Sequence, residues 1–164
     1  MTDYPMLTLN DGRQLPQIGF GTYQIDNDKA AEAVRTAVDV GYKMVDTAAV
    51  YQNEDGVGEG LTETPDIFLQ TKIWNASQGY DRALKAADKC LDRLGRDNVD
   101  MLLIHWPCPE KGLFVETWKA LIELRDQGKA KSIGVSNFRT DDLKRIADDT
   151  GVTPALNQIE LHPS

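Results

Sequence analysis

The sequence predicts an α/β chain of the (β/α)8 TIM-barrel type, incomplete, with about six of eight strands present and a β-hairpin ahead of them. Three observations carry that expectation. Short apolar runs alternate with amphipathic helical stretches, the grammar of a parallel sheet joined by right-handed crossovers. The runs end in polar residues, Asp46, Lys72, His105 and Ser136-Asn137, with Gln158 within the last run, and the four steps from Asp46 to Gln158 average about 28 residues each, near the roughly 30 of a βαβ unit. Barrel chemistry sits at the carboxyl ends of the strands, which is where these polar residues fall. A doubly wound nucleotide-binding sheet would instead want G-x-G-x-x-G opening a helix after its first strand. Gly19-Phe-Gly21-Thr-Tyr-Gln24 lacks the third glycine, and no helical pattern starts there.

The hairpin is expected over residues 7–15. Leu7-Thr8-Leu9 and Arg13-Gln14-Leu15 alternate around Asn10-Asp11-Gly12, a turn suited to positive φ. The βα units then fill residues 17–164, so that 1–164 reads as a single partial barrel domain. Strands are expected at Gln17–Tyr23, Met44–Thr47, Ile67–Lys72, Val99–His105, Ser132–Ser136 and Ala155–Leu161, mostly short, β-branched or Leu-rich runs. Helices are expected over Asp28–Val40, Tyr80–Leu94 and Phe114–Gln127, with a shorter one over Glu54–Glu63 and another capped by Thr140 and closed near Gly151. Gly41, Gly95, Gly128 and Gly151 punctuate four of these, because glycine accepts the left-handed conformation that ends a helix. Gly56-Val-Gly58-Glu-Gly60 resembles a phosphate loop only superficially, since it follows no strand and has acidic neighbours.

Composition narrows the function. The 164 residues are 41% hydrophobic and 27% charged, which suits one folded core and argues against disorder. No apolar run approaches the roughly 18 residues of a membrane helix, and no basic stretch with an apolar successor opens the chain. The expectation is a soluble, cytoplasmic protein. A net charge of −8 repels phosphate backbones and anionic lipid, which sets aside nucleic acid and membrane as partners. Two cysteines, Cys90 and Cys108, make no disulfide framework. His105 and Cys108 are separated by Pro107 and have no second pair, so no metal site is expected. His162 reads as a loop residue and Trp118 as core.

Asp46, Tyr51, Lys72 and His105 would project from one rim. An ammonium beside a phenol stabilises the phenolate and is expected to lower the tyrosine pKa from its usual value near 10. A carboxylate paired to that ammonium holds it in place, and an imidazole can orient a carbonyl oxygen. Such a set donates a proton to an oxygen as negative charge develops on it. That is half of a carbonyl reduction. The other half is hydride, which side chains cannot supply, so a nicotinamide cofactor is implied. Ser136, Asn137 and Gln158 suit a carboxamide. Singly, an Asp, Lys or His at a strand end is more often structural; four on one rim reverse that reading.

The chain resembles the aldo-keto reductases, and more narrowly the bacterial diketogluconate and methylglyoxal reductases in its short loop after His105. The likeness rests on Gly19-Phe-Gly21-Thr22-Tyr23, Val45-Asp-Thr-Ala-Ala-Val-Tyr51, Thr71-Lys-Ile-Trp74, Leu103-Ile-His-Trp-Pro107, Ile133-Gly-Val-Ser-Asn-Phe138 and Asn157-Gln-Ile-Glu-Leu-His-Pro163. The resemblance implies NADPH-dependent reduction of aldehydes and ketones, with Tyr51 as general acid, Lys72 depressing its pKa, Asp46 pairing with Lys72 and His105 orienting a small carbonyl substrate. It implies that Ser136, Asn137 and Gln158 hold the nicotinamide, that Gly21 and Thr22 approach the cofactor, and that Tyr23, Trp74, His105 and Trp106 wall the substrate. Tyr23 stands where many relatives have Trp, and the link Thr62–Pro65 is shorter than usual, which bears on where the strand carrying Lys72 ends.

Everything beyond the sixth strand of the family is absent, so the chain is expected to be C-terminally truncated. Full-length relatives are expected to be monomers, whereas two open strand edges predict self-association here. Two other readings accompany the reductase: a non-catalytic barrel fragment or binding module, and a Schiff-base lyase using Lys72.

Overall fold

The computed structural model describes residues 4–162; Pro163, the last residue of the Asn157–Pro163 motif, lies outside the described residues. Strands β1 (Met6–Thr8) and β2 (Gln14–Pro16) form the expected hairpin, antiparallel, with Met6 opposite Pro16 and Thr8 opposite Gln14. Leu9 and Arg13 close its turn through the Leu9 N–H to Arg13 carbonyl bond of 2.9 Å, and Gly12 takes φ 82°. The hairpin is tied to the amino-terminal side of the main sheet. Asn10 Nδ2 donates to the Pro154 carbonyl at 2.9 Å, and the Ser132 hydroxyl to Asp11 Oδ2 at 2.5 Å.

Six parallel strands follow in chain order: β3 (Phe20–Gly21), β4 (Met44–Asp46), β5 (Phe68–Ile73), β6 (Val99–Ile104), β7 (Ala130–Ser136) and β8 (Asn157–Gln158). This is a partial barrel, as expected. The two outer strands are shorter than the apolar runs that announce them. β3 pairs with β4 only at Phe20–Val45 and Gly21–Asp46, and β8 with β7 only at Val135–Asn157 and Ser136–Gln158. An outer strand has one neighbour, so its ladder lasts only as long as that neighbour stays in register.

The crossovers are α1 (Asn27–Asp39), α2 (Glu54–Gly60), α3 (Tyr80–Leu94), α4 (Phe114–Asp126) and α5 (Thr140–Thr150). Gly41, Gly95, Gly128 and Gly151 follow helix ends at positive φ. One expected cap moves by a residue. Thr140 is the first helical residue, and the cap is Arg139, whose backbone N–H donates to Asp142 Oδ2 at 3.1 Å.

Strand alternation sorts the side chains into two layers. Val45, Leu69, Ile73, Leu102, Ile104, Ile133 and Val135 join one buried core with Val34, Ala87, Leu94, Trp118 and Leu124 of the helices. Each of these Val, Leu and Ile side chains contributes about 1.5–3 kcal/mol of burial. The concave face carries the alternate residues. Gln70 and Lys72 on β5 stand in register with Met101 and Leu103 on β6, and Gln70 with Asp46 on β4. The chemistry-bearing residues therefore share the inner face, at its carboxyl-terminal end.

The Gly56-Val-Gly58-Glu-Gly60 string lies inside α2 rather than in a loop. A Cβ at Gly56 would collide with the Asn27 carbonyl, at Gly58 with the Leu94 carbonyl, and at Gly60 with Val34. These glycines let α2 lie against α1 and the end of α3, which accounts for the motif without a phosphate.

Candidate active site

Lys72 organises the site. Its side chain is 3% exposed, and Nζ donates to Asp46 Oδ1 at 2.6 Å and the Thr47 carbonyl at 2.9 Å, with the Tyr51 hydroxyl 3.5 Å away. Three acceptors take the three N–H bonds of an ammonium. The short link Thr62–Pro65 leaves β5 in register with β4, and Lys72 still reaches Asp46. Tyr51 ends a 3-10 turn, Ala49–Tyr51, just beyond β4, with Gln52 at φ 57° after it.

A clamp behind the sheet fixes that turn. Glu54 begins α2 with its side chain wholly buried. It accepts from Arg93 Nε at 2.8 Å, Arg93 Nη2 at 2.5 Å and the Thr71 hydroxyl at 2.5 Å. Thr71 faces the helices because its neighbour Lys72 faces the barrel interior. Asn53, also buried, donates to the carbonyls of Thr22 and Ile25 at 2.8 and 2.9 Å. The segment that follows Tyr51 is thus tied, through Glu54 and Thr71, to the strand that carries Lys72.

Electrostatics departs from the sequence expectation at one point. The Tyr51 phenol is not lowered; burial, then the Asp46 carboxylate, then the Tyr23 phenol push it up to about 12. Asp46 holds Lys72 as a cation but is itself an anion near the phenol, so the pair brings little net positive charge. Burial lowers Lys72, with Asp46 opposing that shift. Burial, helped by the Lys72 cation, lowers His105 to about 4. At neutral pH the site holds a phenol, an ammonium–carboxylate pair and a neutral imidazole. His105 Nδ1 is buried without a partner among the described residues. An unpartnered buried lone pair is better tolerated than an unpartnered N–H, which places the proton on Nε2.

Tyr23, Tyr51, Lys72, Trp74, His105, Trp106, Ser136, Asn137 and Gln158 line one cleft of about 620 Å³. The His105 ring lies edge-on to Tyr51 and Trp74, centroids 5.8 and 5.2 Å apart, and Tyr23 stacks at a tilt on Tyr51 at 5.2 Å. Asp46 sits beneath Lys72. Gly21 and Thr22 are not on this cleft. Gly21 borders the neighbouring hollow inside the partial barrel, with Asp46, Gln70 and Gln158. Thr22 is fully buried, its hydroxyl 2.9 Å from that of Thr47. Sequence reasoning also missed Gln78, whose amide donates to the Trp106 and Pro107 carbonyls at 2.7 and 3.3 Å and so shapes the wall after β6. Its signal was weak: a polar residue between a turn and a helix.

The amide cluster has capacity left for a ligand. Asn137, at φ 61°, gives its NH2 to the His105 carbonyl and the Ser136 hydroxyl, each at 3.1 Å, which leaves its Oδ1 as an acceptor. Gln158 gives one N–H to Asp46 Oδ2 at 3.2 Å and receives one bond at Oε1 from Gln70 at 3.1 Å, keeping one donor and one lone pair. A nicotinamide carboxamide, with one carbonyl and one NH2, fits that donor set. Among the described residues no three His, Cys, Asp or Glu side chains cluster as metal ligands, and no helix is long and apolar enough to cross a membrane.

Fold and site together define a βα-barrel chain with a phenol, lysine and carboxylate at its strand ends. The chain belongs to the aldo/keto reductase family, whose description matches residues 17–164. It is 49% identical over 163 residues to an aldo-keto reductase of Mycolicibacterium smegmatis, covering 97% of this chain and 59% of that protein. It is 43% identical to the methylglyoxal reductase DkgA of Escherichia coli K12, covering 99% and 60%. Among solved structures, an aldo/keto reductase from Brucella melitensis superposes with a TM-score of 0.93 at 55% identity, covering 97% and 64%. A mutant of Gox0644 in complex with NADPH superposes with a TM-score of 0.95 at 52% identity, covering 97% and 59%. The chain spans about three-fifths of the length of these relatives.

Proposed function

We propose that the chain carries the acid half-site of an NADPH-dependent oxidoreductase that reduces aldehydes or ketones to alcohols, with Tyr51 as general acid. The observation that carries this reading is the Tyr51 hydroxyl 3.5 Å from Lys72 Nζ, itself 2.6 Å from Asp46, at the mouth of a cleft walled by Tyr23, Trp74 and Trp106. NADPH, when bound, supplies hydride to the carbonyl carbon. Ser136, Asn137 and Gln158 are the residues that would hold its nicotinamide carboxamide. The NADPH complex of a Gox0644 mutant supports that cofactor.

The carbonyl oxygen accepts hydrogen bonds from Tyr51 and from His105 Nε2, which orient it. As charge builds on that oxygen it becomes a far stronger base than a phenolate, and the Tyr51 proton moves to it. The high pKa of Tyr51 keeps this proton in place beforehand. Lys72 then faces the newly formed phenolate, while Asp46 and the Thr47 carbonyl prevent the ammonium from turning away. Those contacts exist before the reaction, so no reorganisation is needed when charge appears.

A small dicarbonyl such as methylglyoxal suits the cleft and is in the name of the DkgA relative. NADPH consumption with methylglyoxal, measured for wild type and Tyr51→Phe, tests the proposal. Loss of about 10²–10⁴-fold in kcat/KM is expected for the variant. Equal rates would remove Tyr51 from the reaction, and no wild-type turnover would favour the non-catalytic reading.

One observation favours a second reading, because a lowered lysine pKa also suits Schiff-base chemistry. Lys72 has three oxygen neighbours and a 3% exposed side chain, which leaves it no free lone pair to attack a carbonyl. Borohydride trapping of substrate on Lys72 would reverse that judgement.

A further inference from the structure

Gln70 has no place in the chemistry above, yet it is an amide on the inner face of β5 and only 1% exposed. Its Nε2 donates to Asp46 Oδ1 at 2.7 Å and to Gln158 Oε1 at 3.1 Å. Gln158 Nε2 in turn donates to Asp46 Oδ2 at 3.2 Å. The three side chains come from β5, β4 and β8 and close a ring.

Both neighbours of Gln70 Nε2 are acceptors, so the Gln70 amide has one permitted orientation; turned over, its oxygen would face a carboxylate. Among the described residues its Oε1 is buried with no partner. A residue serving only to fill space would be better apolar, since an unmet buried carbonyl is a cost that leucine of similar size avoids. The donors are what the position retains.

We propose that Gln70 is a positioning residue that sets the orientation of the Gln158 amide, holding its oxygen towards β5 and its NH2 towards Asp46. The free N–H and lone pair of Gln158 then have a fixed order at the cleft, and a carboxamide can approach in only one sense. That last consequence rests on the nicotinamide site proposed above; the orientation of Gln158 does not. Through the shared Asp46 oxygen, Gln70 also steadies the carboxylate that holds Lys72.

The test is hydrogen exchange of the Gln158 side-chain NH2 in the ¹⁵N-labelled chain, assigned by its absence in Gln158→Leu. In wild type it is protected and shows a nuclear Overhauser contact with the Gln70 NH2. In Gln70→Leu and Gln70→Met the Gln158 NH2 exchanges about five- to tenfold faster, the loss of one hydrogen bond, while backbone amides of β5 and β8 keep their rates. Unchanged Gln158 exchange in the leucine and methionine variants, or equal acceleration of the backbone amides, overturns the proposal. Titration with nicotinamide mononucleotide separates the two readings. A shift at the wild-type Gln158 NH2 supports the carboxamide role, and its absence counts against the cofactor site while the exchange data still decide the role of Gln70.

Discussion

His105 shows how burial, rather than residue type, sets the chemistry. Its ring lies between Tyr51 and Trp74 near the Lys72 cation, and its pKa falls to about 4. The unfolded chain binds a proton near 6.5 that the folded chain refuses. The resulting stability is present above about 6.5 and is lost as pH falls towards 4. The chain has two histidines, so an imidazole NMR titration with His105→Gln for assignment is simple. The His105 signal should stay in the neutral, Nε2-protonated form at pH 5.5, and His105→Gln should flatten the acid limb of stability. A midpoint near 6.5 would contradict this. Asp46, Tyr51, Lys72 and His105 were legible in the sequence because each closes or follows a strand in a barrel rhythm. The direction of the Tyr51 shift was not, since it depends on burial and on a carboxylate placed by a different strand. Gln70 was half legible: two residues before Lys72, it shares its face, but its partners arrive from Asp46 and from Gln158, 88 residues away.

Helix α2 links the core to the site. Its glycines bring it against α1 and α3, and its first residue, Glu54, reaches Thr71 and Arg93. Gly58→Ala should cost about 1–3 kcal/mol, because the added methyl meets the rigid backbone of Leu94. Arg93→Met should cost about 3 kcal/mol, the lower end for breaking a buried pair since Arg93 is a third exposed while Glu54 has no exposed side chain. Urea unfolding measures both, and values near zero would mean that α2 is held by something else. The helices themselves were legible: the Tyr80–Leu94 boundaries match the apolar stripe and the glycine stop. The shortening of α2 to Gly60 was not, because the sequence of that segment does not reveal which neighbouring backbone it must touch.

The six-stranded order and the hairpin were readable from alternation, spacing and turn residues, whereas the two-residue lengths of β3 and β8 follow from pairing, which no local pattern reports. Among the described residues those two strands present unpaired edges, and Ile18, Ile159 and Leu161 beside them are more than half exposed. Such edges template pairing with another chain. The 164-residue polypeptide should therefore self-associate, with a sedimentation coefficient that rises with concentration. Lysine at Ile159 should reduce that rise. A concentration-independent monomer would show that the edges are sufficiently protected by their shortness.

Asp46, Lys72 and Tyr51 act as one electrostatic unit in the proposed chemistry. ¹³Cζ-tyrosine NMR reads this directly, with Tyr51 assigned among five tyrosines by Tyr51→Phe and followed up to pH 11 in wild type and Asp46→Asn. Burial first and the Asp46 carboxylate second raise Tyr51 to about 12, so wild type should remain phenol at pH 11. Asp46→Asn removes the second of those causes and leaves burial in place, so its phenolate should begin to form at a lower pH than in wild type. A Tyr51 signal that titrates identically in both proteins would contradict the coupling and, with it, the assignment of the acid.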